Sequence, residues 1–284
     1  MVTLKGVKGV TFTGTEVLTG VAAPPVLTGN SSRTVTAWVY NPAAALDESI
    51  FAWGRRDGPN STNAVFGHGT SPTFGAVGNW GADADMGWGS GSNVKTGRWT
   101  YLAHTYDSAT RVGTVYVDGV QVNQETFAAV LNTWGIDNTP FARPLPLRVG
   151  GTNAADGSLS TVSGNAALTL ANLKIYDHVS TADELGFNDS ELPTPDGIPD
   201  WYEVFYGLNP ATNDSALDPD GDTLSNFDEY TLGTNPIASD TDSDGLRDDY
   251  ESDSGSYTSP TNTGTSPVRA DSDGDGLQIG RAHV

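Results

Sequence analysis

The clearest chemistry in the chain lies in Asp240-Thr-Asp242-Ser-Asp244-Gly245-Leu246-Arg-Asp248-Asp-Tyr-Glu251, where acidic side chains stand at the spacing of a calcium-binding loop. With Asp240 as position 1, Asp242 is position 3, Asp244 position 5, Gly245 the bend at 6, Leu246 the backbone carbonyl at 7, Asp248 position 9 and Glu251 position 12. Carboxylates crowded into one turn repel one another unless a cation stands among them. A hard divalent ion takes about six to eight oxygens in such a turn. Calcium is the expected cofactor.

The spacing recurs. Asp218, Asp220, Asp222, Leu224, Asn226 and Glu229 occupy positions 1, 3, 5, 7, 9 and 12 of a second loop, with Gly221 at position 4 and Thr223 in place of the glycine at 6. Asp196, Gly197, Asp200 and Glu203 fill positions 5, 6, 9 and 12 of a third, but Leu192 and Thr194 stand where its first two acids belong, so it reads as a half site. Asp271, Asp273 and Asp275 open a fourth loop that stops before positions 9 and 12. A generic acidic run reads as a solvated linker, but such a run does not keep Asp at 1, 3 and 5 with Gly at 6 and Glu at 12.

Between the loops a second theme repeats, Tyr206-Gly-Leu-Asn209-Pro210 and Leu232-Gly-Thr-Asn235-Pro236, each after a short aromatic segment able to make one or two helical turns that glycine and proline then end. Gly233, Asn235 and Pro236 lie just before Asp240, which leaves no helix to enter the loop as an EF-hand requires. The alternation of D-x-D-x-D-G-L-x-D-x-x-E with L-G-x-N-P over Thr194 to Leu277 resembles bacterial thrombospondin type 3 repeats. That resemblance implies ions forming the core of each repeat, with little hydrophobic packing behind them.

Charge divides the chain of 284 residues, whose formal net charge is -21. From Pro193 onward there are 19 acidic and three basic residues, while the preceding part is nearly balanced. The expected organisation is a domain over residues 1–187, repeats over 188–278, and a final segment, 279–284. That segment, Ile279-Gly-Arg-Ala-His-Val284, is what ATC GGA AGA GCA CAC GTC encodes and reads as a translated sequencing adapter, so the chain is expected to be a gene fragment. Such acidity speaks against nucleic acid and anionic membrane as partners. No apolar run reaches the roughly 18 residues of a membrane span, the first residues hold no secretory apolar segment, and no cysteine supplies a disulfide framework.

The elements that precede the loops read as strands. Thr34 to Tyr40 alternates Val35, Ala37 and Val39 against Thr34, Thr36, Trp38 and Tyr40, the two-residue period of a sheet. Further strands are expected near 49–54, 64–68, 74–80, 98–106, 113–117, 120–124, 145–149 and 168–176, with Asp118-Gly119 turning a hairpin. The predicted fold is all-β, an antiparallel jelly-roll sandwich followed by an irregular repeat stalk held by calcium. Thr34-Val-Thr-Ala-Trp38, Gly97-Arg-Trp99-Thr-Tyr-Leu-Ala-His-Thr-Tyr106-Asp107, Tyr116-Val-Asp118-Gly119, Leu147-Arg-Val-Gly150 and Leu173-Lys-Ile-Tyr176-Asp together resemble the concanavalin A-like, laminin G-like jelly roll from about Phe12 to Leu185. The resemblance implies that fold and leaves open a glycan-binding lectin, a protein-binding module or a glycoside hydrolase.

Hydrolysis in this fold calls for two acids on one strand about 5 Å apart. Glu16, Glu48, Glu125, Glu184 and Glu191 are scattered instead, so the chain reads as non-enzymatic. For recognition, Trp53, His68, Asn79, Trp80, Asp83, Asp85 and Trp88 combine the aromatic faces and polar acceptors that hold sugars. The same tryptophans would equally serve as packing inside a sandwich, and Asp83 with Asp85 as ligands of a structural calcium. The expected function is an extracellular or cell-surface adhesion module that binds glycan or protein on an acidic calcium-binding spacer. A non-catalytic accessory region of a larger secreted enzyme and a purely structural surface component remain as alternatives.

Overall fold

The computed structural model describes residues 2–4, 7–14, 16–56, 62–79, 84–160, 166–188 and 195–273. Its contacts divide the chain into two compact units, Gly9–Ser180 and Met1–Lys8 with Thr181–Val284. The strands in chain order are β1 (Val2–Leu4), β2 (Val7–Thr13), β3 (Leu18–Ala22), β4 (Arg33–Tyr40), β5 (Ser49–Gly54), β6 (Asn63–Gly67), β7 (Val77–Gly78), β8 (Trp99–Asp107), β9 (Val112–Val117), β10 (Val120–Thr126), β11 (Pro146–Val149), β12 (Thr152–Asn153), β13 (Leu159–Ser160) and β14 (Ala166–Tyr176). The helices are α1 (Asp200–Tyr206) and α2 (Asn226–Leu232). No helix of the described residues is long and apolar enough to cross a membrane.

Within Gly9–Ser180 one antiparallel sheet runs β2-β14-β4-β8-β9-β10 and a second runs β3-β11-β5-β6-β7. This is the sandwich that the alternation predicts. Val35, Ala37 and Val39 of β4 enter one core with Leu102 of β8, Leu168 and Leu170 of β14, and Ile50, Trp53 and Phe66 of the facing sheet. The opposite side of β4 is also buried, at Thr34, Thr36 and Trp38, the last packing 5.5 Å from Tyr101 of its paired strand with the rings tilted by 33°. The alternation therefore separates two dry faces, not a dry one from a wet one. At the β9–β10 hairpin Asp118 and Gly119 take φ of 49° and 76°, as the tight primed turn requires.

Two differences from the sequence reading have local causes. The strand expected over 74–80 shrinks to Val77–Gly78 because Phe74 and Gly75 belong to a turn whose amides bond back to Ser71. Strand β3 gave no alternation because it is exposed at every position, an edge strand without a buried face.

In the other unit, α1 and α2 both end on a left-handed glycine, Gly207 and Gly233, at φ of 79° and 78°. Ser225 and Asp228 form a capping box at the start of α2. The two helices meet through rings: Tyr230 lies 5.2 Å from Tyr202 and 6.2 Å from Trp201, Tyr206 packs 4.7 Å from Tyr202, and the Tyr202 hydroxyl donates to the Thr234 carbonyl. An aromatic core thus stands behind the acidic loops, contrary to the thin packing implied by the repeat resemblance.

Candidate functional site

The two full acidic loops share one hydrogen-bond scheme. Asp240 accepts from the amides of Ser243 and Gly245, Asp242 from Asp244, and Asp244 from Leu246. Asp218 likewise accepts from Gly221 and Thr223, Asp220 from Asp222, and Asp222 from Leu224. Positions 1, 3 and 5 therefore each bind backbone through one or both oxygens, curling the chain so that the carboxylates converge. Ligand atoms of Asp218, Asp220 and Asp222 lie within 4.8 Å of one another, and so do those of Asp240, Asp242 and Asp244. The curl needs positive φ at positions 4 and 6. One loop takes it at Ser243 and Gly245 (64° and 99°), the other at Gly221 and Thr223 (80° and 81°), so each keeps one glycine and forces one ordinary residue left-handed.

A third group joins the two loops. Asp222, Glu229 and Asp248 are fully buried, and their ligand atoms also lie within 4.8 Å of one another. Asp222 Oδ2 and Glu229 Oε2 meet no donor, and neither does Oδ1 of the buried Asn226. Asp248 is fixed from Thr241, whose amide donates to Oδ1 at 2.9 Å and whose hydroxyl donates to Oδ2 at 2.6 Å. Burial, followed by the charges of Asp220, Asp222 and Asp248, pushes the Glu229 carboxyl up to about 9. Burial likewise raises Asp222 to about 6, Asp248 to about 7 and Glu251 to about 8, the last also repelled by Asp242 and Asp244. Among the described residues no lysine, arginine or histidine forms an ion pair with Asp222, Glu229 or Asp248. A set made only of carboxylate, amide and carbonyl oxygen fits a hard divalent cation, not one that prefers nitrogen or sulfur.

The other expected ligands are placed differently. Asp196 accepts from Ile198 through one oxygen and from the amides of Asp214 and Ser215 through the other, tying two stretches of backbone together. Asp200 opens α1 and Glu203 is buried on it. Of the fourth loop, Asp271 and Asp273 are described, while Asp275 and the adapter-like segment 279–284 lie outside the described residues.

In the sandwich the expected sugar-binding residues need correction. Trp53 and Trp88 are each 2% exposed, their indole N–H groups donating to the carbonyls of Leu27 and Gly75. His68 is buried, and that burial lowers its imidazole to about 4. Asn79 is buried too, bonding Ala84 through its side chain and Asp85 through its amide. Rings and amides enclosed in this way have no face to offer a ligand. Trp80 and Asp83 lie outside the described residues. What the sequence reading missed is a cavity of about 320 Å³ lined by Thr28, Arg55, Thr133, Trp134, Gly135 and Ile136. There the Arg55 guanidinium stacks 3.5 Å from the Trp134 ring. No local signal singles it out, since Trp53, Trp80 and Trp88 are followed by glycine just as Trp134 is, and the residues around it come from three separate segments.

A family model described as the concanavalin A-like lectin/glucanases superfamily matches residues 15–186. Among solved structures, the chain is similar to the CBM40 of a Ruminococcus gnavus IT-sialidase bound to α2,3-sialyllactose, at 11% identity and a TM-score of 0.39 over 63% of this chain and 94% of that one. It is similar to a native heptameric SAP-like pentraxin from Limulus polyphemus at 13% identity and a TM-score of 0.40, over 67% of this chain and 86% of that one. A structure of NanB with Optactamide matches at 10% identity and a TM-score of 0.39 over 62% of this chain, which spans only 26% of the NanB chain. No curated protein sequence matches.

Proposed function

The chain belongs to the concanavalin A-like lectin/glucanase superfamily, and from that premise we propose that it is an extracellular recognition protein whose acidic repeats bind calcium. The observation that carries the calcium reading is the convergence of Asp222, Glu229 and Asp248, fully buried, with unpartnered oxygens on the first two. Uncompensated buried carboxylates are costly, and a divalent ion removes that cost by accepting their lone pairs. Asp218, Asp220, Asp222, the Leu224 carbonyl and Glu229 would hold one ion. Asp240, Asp242, Asp244, the Leu246 carbonyl and Glu251 would hold another. The repeats are read as thrombospondin type 3-like. The expected affinity is about 10⁻⁴ M or tighter, the range of extracellular calcium sites. Calorimetric titration of the full chain with calcium is the test, together with proteolysis of the repeats in calcium and in chelator. No heat of binding, or identical cleavage in both conditions, defeats the proposal.

The sandwich is read as the binding part, with a saccharide as its ligand class. Support comes from the Trp134 cavity, where an aromatic ring and a guanidinium lie together. A glycan array with the parent chain and Trp134→Ala tests this. Binding that survives the substitution moves the site elsewhere, and a blank array with the parent removes the saccharide reading.

A further inference from the structure

Position 9 of these loops reaches backward. Asp248 is position 9 of the loop that starts at Asp240, yet the acids it converges with are Asp222 and Glu229, positions 5 and 12 of the preceding loop. Asn226, position 9 of that preceding loop, does the same one step earlier: its side-chain amide donates to the Asp214 carbonyl at 2.9 Å, and the Asp214 amide in turn bonds Asp196 of the half site. Two further contacts bind the loops on either side of Asp248. The Thr223 hydroxyl donates to Asp249 at 3.0 Å, and the Arg247 guanidinium donates to the Gly221 carbonyl at 3.3 Å. Thr241 holds the Asp248 carboxylate at both oxygens, and its hydroxyl also accepts the Asn235 amide at 2.8 Å.

We infer that Asp248 is a ligand of the cation bound by the 218–229 loop and that Thr241 positions it, so the two loops form one coupled metal centre and not two independent ones. The inference rests on the calcium reading above and extends it to how the sites communicate. The 218–229 site lacks the third of its buried acids unless the 240–251 loop is folded around Thr241. An ion that orders the later loop thereby raises the affinity of the earlier one, and by linkage the reverse also holds. Asp222 Oδ2 and Glu229 Oε2, buried and without donors, are the independent sign that a ligand belongs at this junction.

The test is a calcium titration by calorimetry on the full chain carrying Asp248→Asn, Glu229→Gln, Glu251→Gln and the two doubles that contain Asp248→Asn. The single Asp248→Asn is expected to weaken one class of site by about tenfold or more. Added to Glu229→Gln it should change little, because both remove ligands of the same ion; added to Glu251→Gln it should weaken a second class of site as well. The opposite pattern, silent on Glu251→Gln and additive on Glu229→Gln, assigns Asp248 to its own loop and overturns the inference. So does an Asp248→Asn chain with parental affinities. Thr241→Val removes no carboxylate and serves if Asp248→Asn fails to fold: it should weaken the same class of site as Glu229→Gln, and unchanged binding overturns the positioning role. A parent chain that binds no calcium brings down the metal reading itself, whereas normal parental binding with the inverted pattern brings down only the coupling.

Discussion

Glu229→Gln should change the stability of the repeats in opposite directions with and without calcium. Without ions, native Glu229 titrates near 9, whereas in the unfolded chain it returns to about 4.5. A raised carboxyl favours the fold fully below the unfolded value, and that advantage is lost as pH rises toward the folded value. At pH 7 the unfolded chain therefore gains about 3 kcal/mol from ionising this glutamate that the native state forgoes. Glutamine removes the difference, so in EDTA the variant should be more stable than the parent by up to about 3 kcal/mol, most visibly between pH 6 and 8. In millimolar calcium the sign reverses. Loss of a carboxylate ligand should weaken the site roughly tenfold to a hundredfold, about 1.4 to 2.7 kcal/mol of lost stabilisation. Hydrogen exchange of the α2 amides, followed by mass spectrometry on the full chain, reads the opening free energy of this segment directly. A variant that exchanges faster than the parent in EDTA, or as slowly as the parent in calcium, refutes the reading of Glu229 as a buried carboxyl that is neutral without ions and ionises on a bound cation.

In the sandwich, Glu48 is buried, accepts from the Asn41 side chain and the Ala45 amide, and is raised by burial to about 7. Denaturant midpoints should therefore fall as pH rises from about 4.5 through 7, and Glu48→Gln should flatten that dependence; an unchanged slope places the titration elsewhere. Gly54 sits at φ of 81°, and a β-carbon there would stand 2.3 Å from the Thr62 carbonyl oxygen, so Gly54→Ala should cost more than about 2 kcal/mol in urea unfolding, and a near-neutral variant would contradict the backbone path. Trp88→Ala should cost about 3 to 5 kcal/mol by emptying a core position, measurable as a lower unfolding temperature, while a stable variant would mean the ring is not packed as described.

The convergence of the carboxylates at positions 1, 3 and 5 is set within a single turn, because each aspartate bonds amides two, three or five residues on, so residue type and spacing suffice to locate it. Thr223 shows the tolerance of that code. It lacks the freedom of glycine, yet it takes a left-handed φ of 81° where Gly245 takes 99°, because the surrounding bonds impose it.

The strands of the sandwich were readable for a related reason. A two-residue period reports which side chains share a face, and β4, β5, β8 and β9 fell close to their expected bounds. Period alone does not report which face turns inward or what lies across it. Trp53 and Trp88 therefore resembled a sugar platform in the sequence and became core in the fold, while Thr28, Arg55 and Trp134 meet only because three distant segments close around one cavity. Asp248 shows the same division within the repeats: its place at position 9 is a matter of spacing, but its reach into the preceding loop depends on how successive turns pack. Local hydrogen bonding is written in neighbouring residues, whereas convergence across loops and sheets follows from burying the whole set together.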